Sequence, residues 1–167
     1  MDTTEIQEDR PVATSAPSSQ AGAYERLPYV SLPVSYTQPT NLAALVQLFG
    51  LSAPSLERPR VLELGCASGG NLIPLASRHR EGHFLGLDLS RRHVGDAQHR
   101  IAAFGLRNIE IRQADIATVD LSRERFDFVI CHGVFSWTPP FGGNFRLEIT
   151  DASFDSVDRS TAVSSYA

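Results

Sequence analysis

Three carboxylates and a cluster of small residues are the part of this sequence able to do chemistry. Glu63 stands two residues before Gly65 in the run Glu63-Leu-Gly-Cys-Ala-Ser-Gly-Gly70. Glycines so spaced let a main chain approach a ligand closely, and a helix starting behind them presents its positive end. Asp88 and Asp115 each follow a later apolar run. An ionised carboxylate only accepts hydrogen bonds, so Asp88 suits both hydroxyls of a ribose and Asp115 an adenine amino group. Glu63 would repel a pyrophosphate but welcome an ammonium or a sulfonium. Plainer readings stand beside these. The glycines also suit a strand-to-helix turn without a ligand, Asp88 a helix flank, Asp115 a turn, and Glu63 an acceptor for nearby N–H groups.

The surrounding pattern sets these residues at the ends of strands. Residues 60–64, 83–87, 108–112 and 126–131 are short apolar runs that read as four strands. Residues 71–80 read as a helix by the spacing of Leu72, Leu75 and Ala76, with Pro74 admissible only in its first turn. Ser90 caps a second helix running to Phe104, with Val94, Ala97, Ile101 and Phe104 on one face and Gly105 as its stop. Strands alternating with helices through short loops predict an α/β fold, a Rossmann-like open parallel sheet. Ligands of such sheets bind beyond the carboxyl ends of the strands, where the three acids fall.

Upstream, residues 1–22 are rich in Ser, Thr, Ala, Pro, Gln and acids, a texture that predicts a disordered tail. Residues 23–58 read as an extended, proline-punctuated arm followed by a helix capped by Thr40 and closed by Gly50, with Leu42, Leu45, Val46 and Phe49 inward. The core is residues 59–140, and 141–167 form an atypical tail with one strand-like run near 145–149.

Composition narrows the classes. The 167 residues carry a net charge of -4, which argues against a partner held by its phosphate backbone. All basic residues are arginine, from which no function follows. No apolar run is long enough to span a bilayer and no leader is evident, so a cytoplasmic location is expected. Cys66 and Cys131 are too few for a disulfide framework and lack metal-ligand spacing. The pairs His79 and His83, and His93 and His99, lack carboxylate or cysteine partners and do not make a metal site. His132 follows the fourth strand, where a structural histidine is the commoner outcome than a general base. Phe135 and Trp137 suit a lid or core better than a nucleic-acid stacking platform.

In combination, Val61-Leu-Glu-Leu-Gly-Cys-Ala-Ser-Gly-Gly70, Gly86-Leu-Asp-Leu-Ser90, Gln113-Ala-Asp-Ile116 and Phe126-Asp-Phe-Val-Ile130 resemble the successive motifs of class I S-adenosylmethionine-dependent methyltransferases. The closer resemblance is to bacterial members with a separate regulatory domain after the catalytic one. Ser35-Tyr-Thr-Gln-Pro39, Gly69-Gly-Asn-Leu-Ile-Pro74 and His132-Gly-Val-Phe-Ser-Trp137 carry it. The resemblance covers roughly residues 24–140 and implies S-adenosylmethionine as cofactor. By position, Glu63, Gly65 and Gly69 would line its methionine part, Asp88 would hold the ribose, and Asp115 with Ile116 the adenine. Cys66, Ala67, Asn71 and Leu89 would bind the cofactor as well, and the chain near His132 would close over it. Ala67 departs from the family, which commonly has glycine there.

After Pro140 the motifs stop, and the resemblance implies a sheet of about four strands instead of seven. The change of texture reads as a truncated or shifted reading frame, with an exposed edge on strand four. Thr138-Pro-Pro-Phe141 lies too far from the strand to be the Pro-Pro-aromatic motif of amino methyltransferases. Two rivals remain at this stage. Gly65-x-Ala67-x-x-Gly70 with an acid about 20 residues on also approaches the fingerprint of a nicotinamide-dependent oxidoreductase. The other rival is a non-catalytic remnant that binds cofactor weakly or not at all. The methyl acceptor is not legible in the residues.

Overall fold

The computed structural model describes residues 31–116, 118–132 and 164–165. The expected tail over 1–22 and the strand-like run near 145–149 lie outside them, as do Phe135 and Trp137. Five strands, β1 (Arg60–Leu64), β2 (His83–Asp88), β3 (Ile109–Gln113), β4 (Phe128–His132) and β5 (Ser164–Ser165), form one parallel sheet in the order β3-β2-β1-β4-β5. Three α-helices, α1 (Pro39–Leu48), α2 (Leu72–Arg78) and α3 (Arg91–Ala103), and a 3-10 turn over Ser35–Thr37 complete the described elements.

The topology follows from chirality and burial. From β1 through α2 to β2, and through α3 to β3, the chain steps outward in one direction. Right-handed crossovers then put both helices on one face. Accordingly Leu72 and Leu75 of α2 and Val94 and Ala97 of α3 share a core with Val61, Phe84, Ile111 and Ile130 of the sheet, joined by Leu42 and Ala43 of α1. The alternate strand residues Leu62, Leu64, Leu85 and Leu87 face the other way. They pack against Ala114, Ile116, Val119, Leu121 and Phe126 of the connection returning from β3 to β4. Burial on both faces explains why β1 and β2 read as nearly unbroken apolar runs. Among the described residues no helix is long and apolar enough to cross a membrane.

Several expected details shift. The first helix begins with Pro39 at a position where its missing N–H costs nothing, and Thr40 does not cap it. Its end is as expected: Gly50, at φ 75°, closes it, with Gly50 N–H bonded to Gln47 and Leu51 N–H to Val46. Only Leu42 of its expected stripe is buried. Leu45 and Phe49 are exposed, and Val46 is half-buried. Ser90 does cap α3, its Oγ accepting the His93 N–H at 3.3 Å, and Gly105 does stop it, but Phe104 is exposed. Pro74 sits in the first turn of α2, which ends at Arg78 instead of 80. β3 and β4 start one and two residues later than read, so His132 is inside β4 instead of after it. The edge of β4 is paired at Cys131 and His132, by Ser164 and Ser165 of β5.

The glycine turn is held by β2. The N–H groups of Gly65 and Cys66 both donate to the Leu87 carbonyl, at 2.8 and 3.0 Å. Gly65 and Gly69 take φ of 69° and 73°, and Ala67 takes 47°, a left-handed conformation uncommon for a residue with a side chain. Across the sheet, Ile111, Gly86, Glu63 and Ile130 form one row. Gly86 has no side chain there because the Cys66 Sγ and the Ile111 Cδ1 occupy the space.

A Cβ on Gly86 would lie 2.7 Å from Cys66 Sγ and 2.5 Å from Ile111 Cδ1. Gly86→Ala should therefore cost about 1–3 kcal/mol in denaturant unfolding, and adding Cys66→Ala should recover part of it. A double variant no better than the single one would refute this packing account. Ala67→Gly should leave stability unchanged or raise it by up to about 1 kcal/mol, because relief of left-handed strain competes with glycine's entropy. A loss above that size would show that the Ala67 methyl is needed.

Candidate functional site

Glu63 is the buried centre of the site. Strand alternation turns it towards the helical face, in the row between Gly86 and Ile130. Its Oε1 accepts from Asn71 Nδ2 at 3.0 Å, while Oε2 is buried without a hydrogen-bond partner among the described residues. Burial pushes the carboxyl from an ordinary 4.5 up to about 7, the Asn71 bond pulls against this, and the Asp88 charge adds to it.

Asn71 is a bracket. Besides holding Glu63, its Nδ2 donates to Thr37 Oγ1 at 3.1 Å, and its Oδ1 accepts the Val34 N–H at 2.9 Å. Thr37 Oγ1 in turn donates to the Val34 carbonyl at 2.9 Å. These contacts engage the amide on both sides, so its polar atoms serve the protein instead of standing open to a ligand. Gly70 N–H donates to Ser31 Oγ at 2.8 Å. The end of the expected surface arm is therefore knitted across the glycine turn, with Thr37 buried and residues 35–37 in a 3-10 turn.

Asp88 closes β2 on the same face as Glu63, two residues beyond Gly86. Its Oδ2 accepts the Ala67 N–H at 2.8 Å, and its Oδ1 accepts the Ser90 N–H at 2.9 Å with His93 Nδ1 at 3.2 Å. The expectation of a carboxylate open to two hydroxyls thus meets one already holding three protein donors. His93, read from sequence as without a carboxylate partner, is buried and faces Asp88. Asp115 is exposed just past β3, its carbonyl accepting the N–H groups of Thr118 and Val119 in a turn.

The other expected residues scatter around this centre. Gly69 and Gly65 supply the turn itself. Cys66 is buried, and burial together with the charges of Glu63 and Asp88 drives its thiol well above the ordinary range. Cys131 is pushed up to about 11, chiefly by burial. Neither thiol is therefore a nucleophile at neutral pH. Leu89 is exposed beyond β2, and the Ile116 side chain packs into the cluster on the opposite face of the sheet. His132 lies on the Glu63 face, its Nε2 2.6 Å from the hydroxyl of Tyr36. Tyr36 and Thr37 were read as arm residues and as part of a run that carries the family resemblance, with no role in the site. The tyrosine inside a short polar-aromatic run next to Pro39 was the available signal.

Chemically, the centre brings together two buried or half-buried carboxylates, with one carboxylate oxygen that has no partner among the described residues. That donor set fits a ligand bringing a cation and hydroxyls, and disfavours one bringing a pyrophosphate.

Residues 61–143 match the family model of a methyltransferase domain. The chain is 47% identical over 116 residues to the uncharacterised protein RP789 of Rickettsia prowazekii, covering 70% of this chain and 21% of that one. It is 37% identical over 79 residues to a tRNA (guanine-N(7)-)-methyltransferase of Leifsonia xyli, covering 47% of this chain and 33% of that one. The structure of PKMT2 from Rickettsia typhi in complex with AdoHcy superposes with a TM-score of 0.64 at 37% identity, over 67% of this chain and 22% of that one. The chain thus spans about a fifth of the length of two of these relatives. The nicotinamide alternative finds no support among them. Residues 61–143 of this chain belong to the methyltransferase-domain family, on the Rossmann-like fold of the class I S-adenosylmethionine-dependent methyltransferases.

Proposed function

We propose that this chain is the cofactor-binding part of an S-adenosylmethionine-dependent methyltransferase, with Glu63 as the anchor for the ammonium of the cofactor. The observation that supports it is the buried Oε2 of Glu63 beside the glycine turn, which has no hydrogen-bond partner among the described residues. A cation there satisfies an atom whose isolation otherwise costs free energy. Asp88 takes a ribose hydroxyl through its remaining acceptor direction, and Asp115 serves the adenine amino group. Main-chain groups of residues 65–69 border the methionine part, and the chain at His132 borders the mouth.

When bound, S-adenosylmethionine supplies an electrophilic methyl group on its sulfonium. The residues of this chain contribute by orientation. A carboxylate at each end of the cofactor, the buried Glu63 and the exposed Asp115, holds it so that an acceptor can approach in line. The segment 31–37 covers one side of the turn and limits water there. The methyl acceptor belongs to the whole protein, of which this domain is the part that holds the cofactor.

Titration calorimetry of the purified monodisperse chain with S-adenosylmethionine and S-adenosylhomocysteine tests the reading, with NAD as control. Binding of both adenosyl ligands and no heat with NAD is expected. Absence of heat at millimolar adenosyl ligand would favour the non-catalytic remnant.

Glu63 also makes a pH prediction. Unfolded, its carboxyl ionises near 4.5, and folded only near 7, so folding takes up a proton between these values. Stability should fall as pH rises through that window and then carry a constant penalty, on the order of 3 kcal/mol. A cation favours the ionised form, so S-adenosylhomocysteine affinity should climb towards pH 7 and level off above it. Glu63→Gln should raise the melting temperature of the free protein at pH 8 while weakening S-adenosylhomocysteine binding about 10- to 100-fold. A variant that melts lower at pH 8, or binds as tightly as the parent, would remove Glu63 from this role.

A further inference from the structure

His93 is used by neither the fold nor the cofactor reading. It is the third residue of α3, its side chain is only 5% exposed, and its Nδ1 lies 3.2 Å from Asp88 Oδ1. Its Nε2 is buried with no hydrogen-bond partner among the described residues. An imidazole is seldom enclosed this way for packing alone, since a leucine would fill the space without an orphaned nitrogen.

What the ring does is visible from the carboxylate. Asp88 has about four acceptor directions when ionised. Ser90 N–H at 2.9 Å and His93 at 3.2 Å use those of Oδ1, and Ala67 N–H at 2.8 Å uses one of Oδ2. Because the carboxylate only accepts, the proton on the facing side of the ring belongs on Nδ1. The three donors come from the glycine turn, the β2–α3 link and α3 itself, so they fix the carboxylate plane against three separate elements. One direction on Oδ2 is left, on a side chain 12% exposed at the ligand end of the sheet.

We propose that His93 is a positioning residue for the ribose. By holding Oδ1 of Asp88 through Nδ1–H, it turns Oδ2 outward as the single acceptor offered to a ribose hydroxyl, and so sets the preference for ribose over deoxyribose. This rests on the cofactor reading above. Without His93 the carboxylate keeps one main-chain donor on each oxygen, from Ser90 and Ala67, but loses its tie to the α3 side chain, so its plane loosens and its acceptor meets a hydroxyl less squarely. The donor that matters is Nδ1–H, so asparagine, whose amide nitrogen falls near Nδ1, replaces it. Glutamine, whose amide reaches towards Nε2, does not.

The test is calorimetry with S-adenosylhomocysteine and its 2′-deoxy and 3′-deoxy analogues, on the parent chain and on His93→Leu, His93→Gln and His93→Asn, each with its melting temperature. His93→Leu and His93→Gln are expected to bind S-adenosylhomocysteine at least tenfold more weakly. Their affinity for at least one deoxy analogue should change less than threefold, so the ribose preference collapses. His93→Asn is expected to restore the parent preference within threefold. Equal weakening towards all three ligands, in step with melting temperature, would reduce His93 to a structural residue and overturn the proposal. Parent binding with an unchanged preference in His93→Leu would overturn it alone. A parent chain that binds no adenosyl ligand would overturn both this proposal and the reading beneath it.

Discussion

Burying the carboxylate of Glu63 in the first strand is the constraint around which the rest of this site is arranged. The side chain stands in a row with Ile111, Gly86 and Ile130, where an ionised group is strongly disfavoured. Among the described residues a single donor, Asn71, answers it, and the second oxygen is left unmatched. A structure optimised for stability alone would fill this place with an apolar side chain. Retaining a half-satisfied acid is the kind of local cost that marks a site built to receive something, here a group of opposite charge.

That arrangement propagates outward through Asn71. Because the same amide holds Glu63 and accepts from Val34, the state of the acid and the seat of the upstream segment are mechanically joined. Thr37 and Tyr36 extend the link, the first to the amide and the second to His132 at the end of β4. Two parts of the chain's described core, separated by nearly a hundred residues, therefore meet on the Glu63 face of the sheet.

Much of the fold was legible because its determinants are local. Short apolar runs, the first two ending at Gly65 and Asp88, marked four strands, and Ser90 with Gly105 bracketed α3 by hydrogen-bonding rules that need no tertiary knowledge. The errors have equally definite causes. Thr40 looked like a cap, but Pro39 already fits the first helical position. Phe104 matched the helical period, yet the turn into Gly105 swings it into solvent. Of the site, the acids and glycines could be found from spacing. The buried His93 and the roles of Asn71, Thr37 and Tyr36 could not, since each depends on a partner 5 to 96 residues away and on which side of a strand it faces.

The contact between Gly70 and Ser31 carries an evolutionary consequence. A side chain on Gly70 would collide with the Ser31 carbonyl, which already fills that space. The two places in the sequence are thus obliged to change together, and a chimera importing this loop from a relative with a larger residue there would have to import that relative's leading segment as well.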